Sequence, residues 1–241
     1  MTIRLLDRYG YRIARDVVPP EQCEQIGEEI SRWLSSDANN RIENREGDLV
    51  GGRNLIENDA LWRPWIHNIQ MARLIRNYVG AKPSVVRVLY FDKPPGQGWA
   101  LSLHRDRTIA VSKHHDPPDP FCKPTFKAGV PHVEANDEVL SQMLTLRLHL
   151  DPMRADNGPL YVVPRSHQTT QNGGVEPAAT EEMQTIYCRA GDVLAMRPLL
   201  CHGSHPTDPA TALRRRVLHL ELAPRDALPA PYHWHMAKLI G

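Results

Sequence analysis

The chain has 241 residues, 41% of them hydrophobic, which is enough to bury one substantial core. Its 29 basic and 28 acidic residues leave a formal net charge of +1, which excludes an overall field that draws in nucleic acid or an anionic membrane and points to a small-molecule partner. No apolar run is long enough to cross a bilayer, residues 1–18 lack a signal peptide's hydrophobic stretch, and the four scattered cysteines (Cys23, Cys122, Cys188, Cys201) read as reduced thiols, so a cytoplasmic protein is expected.

One domain spanning 1–241 is expected, beginning with a helical part over 1–83. After Pro19-Pro20, the apolar positions Cys23, Ile26, Ile30, Trp33 and Leu34 recur at helical spacing, and prolines suit a helix's first turn. A second helical pattern, Ile66, Ile69, Leu74, Ile75 and Tyr78, ends at Gly80, a residue able to take the left-handed conformation that closes helices. The polar stretch between them, 39–58, reads as a loop.

From Ser84 onward, short β-branched or alternating runs separated by Pro and Gly predict a strand-rich core over 84–223, followed by an extension over 224–241. The expected strands are Val85 to Phe91, Thr108 to Val111, Leu144 to Leu150, Leu160 to Val163, Val193 to Met196 and Val217 to Leu222. In Leu144 to Leu150 the alternation is strict, putting Thr145, Arg147 and His149 on one face and the leucines on the other. That polar face suits the lumen of a closed β architecture. Residues 112–137 carry many prolines, His114, His115 and His132 and little periodicity, which predicts a long, lid-like loop. Its tail, from Asn136, has the chemistry of a helix cap.

Two residues one position apart on a strand point the same way, so His-x-Asp on a strand end presents an imidazole and a carboxylate to one ion. With a second, distant His this makes the facial triad of non-haem Fe(II) oxygenases, which leaves coordination positions open. The spacing alone selects little: this composition yields roughly one or two His-x-acid matches by chance. The chain has five, at His104, His114, His132, His149 and His219. Context favours His104 and Asp106, which stand between a Gly/Pro turn (Pro94 to Gly98) with its strand-like approach and the strand from Thr108. His149 with Asp151, at the end of a strand, is the rival.

The segment Ala190-Gly191-Asp192-Val193-Leu194 through Cys201-His202-Gly203-Ser204, leading to Arg214-Arg215-Arg216 and Val217 to Glu221, resembles the phytanoyl-CoA dioxygenase family. So do, in the same order, Asp92-Lys93-Pro94-Pro95-Gly96, the His104-x-Asp106 pair, and Asn157-Gly158-Pro159-Leu160 through Pro164-Arg165-Ser166-His167. The opening Tyr9-Gly10-Tyr11 and the Pro19-Pro20 helix extend the likeness over nearly the whole chain.

The resemblance implies a mainly β fold: a double-stranded β-helix (jelly-roll, cupin-like) core with N-terminal helices packed on one sheet. It implies His104, Asp106 and His202 as iron ligands, with no catalytic residue beyond the metal and cosubstrate ligands. The cofactors implied are Fe(II), 2-oxoglutarate as cosubstrate, and O2. The family's arginine for the far carboxylate of 2-oxoglutarate falls among three consecutive arginines. Alignment of strand ends favours Arg215 and leaves Arg214 and Arg216 as a basic solvated edge. Ser204 resembles the hydroxyl that donates to the same carboxylate. Arg165 departs from the family's usual Gly, which demands a turn without positive φ or a strained one. Related halogenases lack the carboxylate retained here as Asp106, so hydroxylation of an unactivated C–H with release of succinate and CO2 is the implied reaction. The alternative is a catalytically silent cupin-like ligand-binding or sensor protein. Arg147, His149 and His132 are the expected contacts to a polar or anionic substrate, and neither nucleic acid nor membrane is an expected partner.

Overall fold

The computed structural model describes residues 3–168 and 182–240. A short helix α1 (Ile3–Tyr9) leads into β1 (Tyr11–Ala14), then α2 (Pro20–Ser36), a hairpin of β2 (Arg41–Glu43) and β3 (Leu49–Gly52), and helices α3 (Arg63–Ile66) and α4 (Ile69–Val79). Next come β4 (Pro83–Lys93), β5 (Leu101–His104), β6 (Thr108–Ala110), β7 (Cys122–Lys127), β8 (Val130–Glu134) and helix α5 (Asp137–Ser141). The remainder is β9 (Leu144–His149), β10 (Leu160–Val162), β11 (Gln184–Thr185), β12 (Val193–Met196), β13 (His202–Ser204), β14 (Arg215–Pro224) and β15 (Lys238–Leu239).

The strands form three antiparallel sheets: a large one in the order β1-β12-β9-β14-β4-β3-β2 with β15 also on β4, a smaller one in the order β11-β10-β13-β5, and a three-stranded sheet β6-β8-β7. The fold is mainly β, of the double-stranded β-helix type, with helices α1 to α4 on one face of the large sheet and α5 in a separate cluster. Helices α2 and α4 form where the sequence predicts them, with Ile66 in the separate short helix α3, while α1 is not predicted. Pro20 occupies the first turn of α2, which buries Cys23, Ile26, Ile30 and Leu34. Asn68 opens α4 by accepting a hydrogen bond from the backbone N–H of Gln70 (2.9 Å), and Gly80 closes it at φ +74°. Their apolar faces meet Val85, Val88 and Tyr90 of β4, the three leucines of β9, and Leu218, Leu220 and Leu222 of β14. No helix among the described residues is long and apolar enough to cross a membrane.

Two expected loops contain strands. Residues 39–58 hold the β2–β3 hairpin, and 112–137 hold β7 and β8, with α5 capped by the side chain of Asn136 (3.1 Å to Val139 N). Strand β7 is an edge strand with its first five residues exposed, so neither face carries the apolar alternation that makes a strand readable. Its Pro124 falls where the register with β8 shifts, a position that tolerates a missing N–H.

One irregularity shapes the site. Opposite Glu221 and Leu222 of β14 stand Arg87 and Val85 of β4, so Val86 is an extra residue. Val85 packs with the helices, but beyond this bulge it is Val88 and Tyr90 that do so. Arg87, Leu89, Phe91 and Lys93 turn instead to an internal cavity.

Candidate active site

Strands β5 and β13 are partners in the small sheet, with His104 directly opposite His202. A Cβ on Gly203 would stand 2.6 Å from the carbonyl oxygen of Leu101 and 2.5 Å from the Tyr161 hydroxyl, so only glycine permits this approach of β13 to β5. Asp106, just past β5, is held by its backbone N–H donating to the carbonyl of Pro198 (3.0 Å). His104, Asp106 and His202 are the one group of three metal-ligating side chains found among the described residues, their donor atoms all within 4.8 Å of one another. The two imidazole rings lie 4.4 Å apart between centroids.

The hydrogen bonds make these residues fit a metal. Nδ1 of His104 lies 2.8 Å from the carbonyl of Ser102, and Nδ1 of His202 lies 2.9 Å from that of Leu200. Each Nδ1 therefore donates to a carbonyl, which leaves an Nε2 lone pair turned toward Asp106. Those Nε2 atoms stand 3.7 and 3.6 Å from the carboxylate, too far for hydrogen bonds, and the buried Oδ2 of Asp106 has no hydrogen-bond partner among the described residues. Burial pushes His202 down to about 4, with His104 adding to the effect against the pull of Asp106. Its imidazole is thus neutral, the form that ligates, well into the acid range.

The other four His-x-acid pairs are engaged elsewhere or do not converge. Asp151 accepts from the backbone N–H, Nε and Nη2 of Arg216 (each 2.8 Å). Glu221 pairs with Arg87 at 3.0 Å, Glu134 pairs with Lys123 at 2.9 Å, and Nη1 of Arg147 lies 3.0 Å from Nδ1 of His219. His114, paired in sequence with Asp116, directs its Nε2 at the carbonyl of His132 (3.0 Å).

The three consecutive arginines separate cleanly. Arg214 forks onto Asp92 at 2.9 and 2.5 Å, and Arg216 bridges Asp151 and Glu24. Arg216 is buried at 7% exposure, a correction to the solvated edge expected of it. It is buried because the anions that satisfy it come from α2 and the β9 end, and because Gly27 has no side chain to block its guanidinium. Arg215, at 4% exposure, has no carboxylate partner among the described residues, only a distant sulfur contact to Met153 (3.8 Å), and faces the cavity.

Beside it is a residue the sequence did not single out. Lys93, directly opposite Arg215 across β4 and β14, donates to Oγ of Ser204 (3.1 Å) and to the carbonyl of His205 (2.9 Å). Burial, then Arg215 and Arg147, push this amine down to about 7. The strand pattern offered a signal, since Lys93 shares a face with Arg87, but a lysine at a strand end reads as an ordinary solvated charge.

The triad, Arg215, Ser204, Lys93 and Arg147 all line one cavity of about 290 Å³. His149 and His132, expected to touch substrate, do not line it. His149 is fully buried beyond Arg147 with neither ring nitrogen hydrogen-bonded among the described residues, and His132 is buried on β8 with Nδ1 directed at the carbonyl of Val130 (2.9 Å). Arg165 takes the strained option: its φ is +74°, and its guanidinium lies over the Tyr9 ring at 5.5 Å.

The family model described as phytanoyl-CoA dioxygenase matches residues 6–216. No curated protein matches in sequence. Among solved structures, the chain is similar to AviO1 from Streptomyces viridochromogenes Tue57, at 24% identity and a TM-score of 0.64, over 95% of this chain and 96% of that one. It is similar to EctD from S. alaskensis crystallised with 2-oxoglutarate and 5-hydroxyectoine, at 16% identity and a TM-score of 0.71, covering 94% and 76% of the two chains. A third likeness is to SnoK, an alpha-ketoglutarate-dependent carbocyclase from nogalamycin biosynthesis, at 15% identity and a TM-score of 0.67, covering 93% and 83%. At these identities the solved structures establish a shared fold, while the family model covers most of the chain. The chain belongs to the phytanoyl-CoA dioxygenase family, whose members are non-haem oxygenases that use Fe(II), 2-oxoglutarate and O2.

Proposed function

We propose that this chain hydroxylates an unactivated C–H of a small molecule, with His104, Asp106 and His202 holding Fe(II) and Arg215, Lys93 and Ser204 holding 2-oxoglutarate. The observation that carries this reading is the convergence of two Nε2 lone pairs and an unpartnered carboxylate oxygen on one point of a cavity that also receives an arginine without a carboxylate. When bound, the metal and cosubstrate supply the oxidising chemistry at the substrate C–H, with succinate and CO2 released.

The protein's own part is orientation and electrostatics. The carbonyls of Ser102 and Leu200 keep both imidazoles in the ligating tautomer. Arg215 presents a planar donor fork to a carboxylate, while Lys93 lends a second positive charge and braces the Ser204 hydroxyl. Retention of the Asp106 carboxylate supports oxygen insertion over halogenation. The carbocyclase reaction named for SnoK means that one fold hosts more than one outcome, so the hydroxylation itself is the element to test.

Purified protein given Fe(II), ascorbate and 2-oxoglutarate should release succinate, slowly without substrate. Asp106→Ala and His202→Ala should each reduce this to background, with His149→Ala leaving iron binding intact. Failure to bind 2-oxoglutarate at millimolar levels would sink the reading.

A further inference from the structure

The charged lining of the cavity is lopsided. Eight lysine and arginine side chains line it against two carboxylates, Asp106 and Glu221, in a chain whose formal charge is only +1. Five of these cations have evident roles. Arg105 donates to the carbonyls of Leu199 and Ser166, Arg107 pairs with Asp137 at 2.8 Å, Arg147 engages His219, and Lys93 and Arg215 form the cosubstrate end. The other three, Arg53, Arg87 and Lys127, stand together, and among the described residues only Arg87 of these has an ion pair, to Glu221.

These three come from separate elements that the fold brings together. Arg53 follows β3, Arg87 lies on β4, and Lys127 ends β7. The side chain of Asn54 donates to the carbonyl of Ala128 (3.3 Å), tying the residue after Arg53 to the residue after Lys127. The Val86 bulge turns Arg87 inward, where its Nη1 donates to Glu221 (3.0 Å) and to the carbonyl of Thr108 (3.1 Å), two residues beyond the ligand Asp106. Arg53 and Lys127 are half-buried, and neither side chain has a hydrogen-bond or ion-pair partner among the described residues. Burial, then Arg87, lowers the pKa of Arg53. Burial, then Arg87 and Arg53, lowers that of Lys127. Folding therefore holds three like charges together with Glu221 as their one ion-pair partner among the described residues and Glu134 acting on Lys127 from β8, a net repulsion that a bound anion would relieve.

This cluster is distinct from the cosubstrate end. Arg87 and Lys93 lie six residues apart along β4, on the order of 20 Å at about 3.3 Å per residue, with Leu89 and Phe91 lining the cavity between them. One 2-oxoglutarate cannot reach both.

We propose that Arg53, Arg87 and Lys127 bind an oxyanion group, phosphate or carboxylate, carried by the substrate at the end of the cavity opposite Lys93 and Arg215. The substrate's carbon skeleton then lies along Leu89 and Phe91, beside the triad. This assignment rests on the oxygenase reading given above.

The test is calorimetric titration of the full chain, with inorganic phosphate and acetate as probes, in saturating 2-oxoglutarate so that the Arg215 end is filled. At least one probe should bind in the millimolar range, and the Arg53→Gln/Lys127→Gln double variant should weaken it roughly tenfold or more. Tighter phosphate assigns a phosphate-bearing substrate, and tighter acetate a carboxylate-bearing one. Binding of neither probe, or binding untouched by the double variant, overturns the proposal. Lys127→Gln alone, at the end of the exposed hairpin strand, supplies the comparison should the double variant unfold. Loss of 2-oxoglutarate binding in the wild-type chain would count against the oxygenase reading instead. In that event, dependence of probe binding on Arg53 and Lys127, measured without 2-oxoglutarate, still judges the oxyanion site.

Discussion

The two faces of β9 are equally buried and finished in different ways. Leu144, Leu146 and Leu148 are fully buried against the helices, where packing alone completes them. Thr145, Arg147 and His149 are at most 7% exposed on the other face, yet Oγ1 of Thr145, Nε of Arg147 and both ring nitrogens of His149 have no hydrogen-bond partner among the described residues. Buried polar groups are normally satisfied. Of these three only Arg147 lines the cavity, so Thr145 and His149 carry the cost of burial without facing it, and the face tolerates this because the apolar face supplies the stability.

The contrast can be broken from either side. The largest expected effect is on the apolar face: Leu146→Ala should cost about 2–5 kcal/mol of unfolding free energy through lost burial and the cavity left behind. Chemical denaturation measures it, and a loss well below 1 kcal/mol would mean that the helices do not close this face. On the polar side of the same sheet, Arg215→Ala in the neighbouring β14 should instead spare the fold and raise the 2-oxoglutarate requirement on the order of a hundredfold, the scale of a buried charge-assisted pair. An unchanged requirement would transfer the role to Arg214 or Arg216, despite their ion pairs.

A smaller effect concerns pH. Lys93 sits near 7 without an anion, and a bound carboxylate favours its charged form. Binding of 2-oxoglutarate should therefore take up a proton, and affinity should fall by at most about tenfold per pH unit as pH rises above 7. Lys93→Met should flatten that alkaline slope, and a slope that survives the substitution assigns it to another group. The smallest effect lies outside both faces: Arg165→Gly relieves the positive φ and should change stability by about +1 kcal/mol or less, since the stacking on Tyr9 is lost with it. A clear drop in melting temperature would show the stacking to outweigh the strain.

What was legible in the sequence divides along the same line. Helices α2 and α4 and the strands β4, β9, β12 and β14 were readable because apolar periodicity marks whatever packs on one side. Strands β2, β3, β7 and β8 were not, because exposed edge strands and short hairpins leave no such period. The metal pair was ambiguous on spacing, with five matches in the chain. Partners far along the chain engage Asp151 and Glu221, and Lys123 across the β7–β8 hairpin engages Glu134, which removes those three rivals. Arg215 could be ranked above its neighbours by strand alternation, but the burial of Arg216 depended on Glu24 of α2, which no local pattern reveals. Lys93 and the Arg53–Lys127 approach arise from chain crossings of the same kind.

The pairing of His104 with His202 across β5 and β13 has a thermodynamic consequence. The two imidazoles belong to distant parts of the chain and become neighbours only through strand register, and a slip of one residue would turn one of them to the opposite face. The unfolded polypeptide therefore has no preformed cage, and occupancy of the site is linked to the global folding equilibrium. An ion held there would act as a register lock on the small sheet, raising the unfolding midpoint with the logarithm of its free concentration.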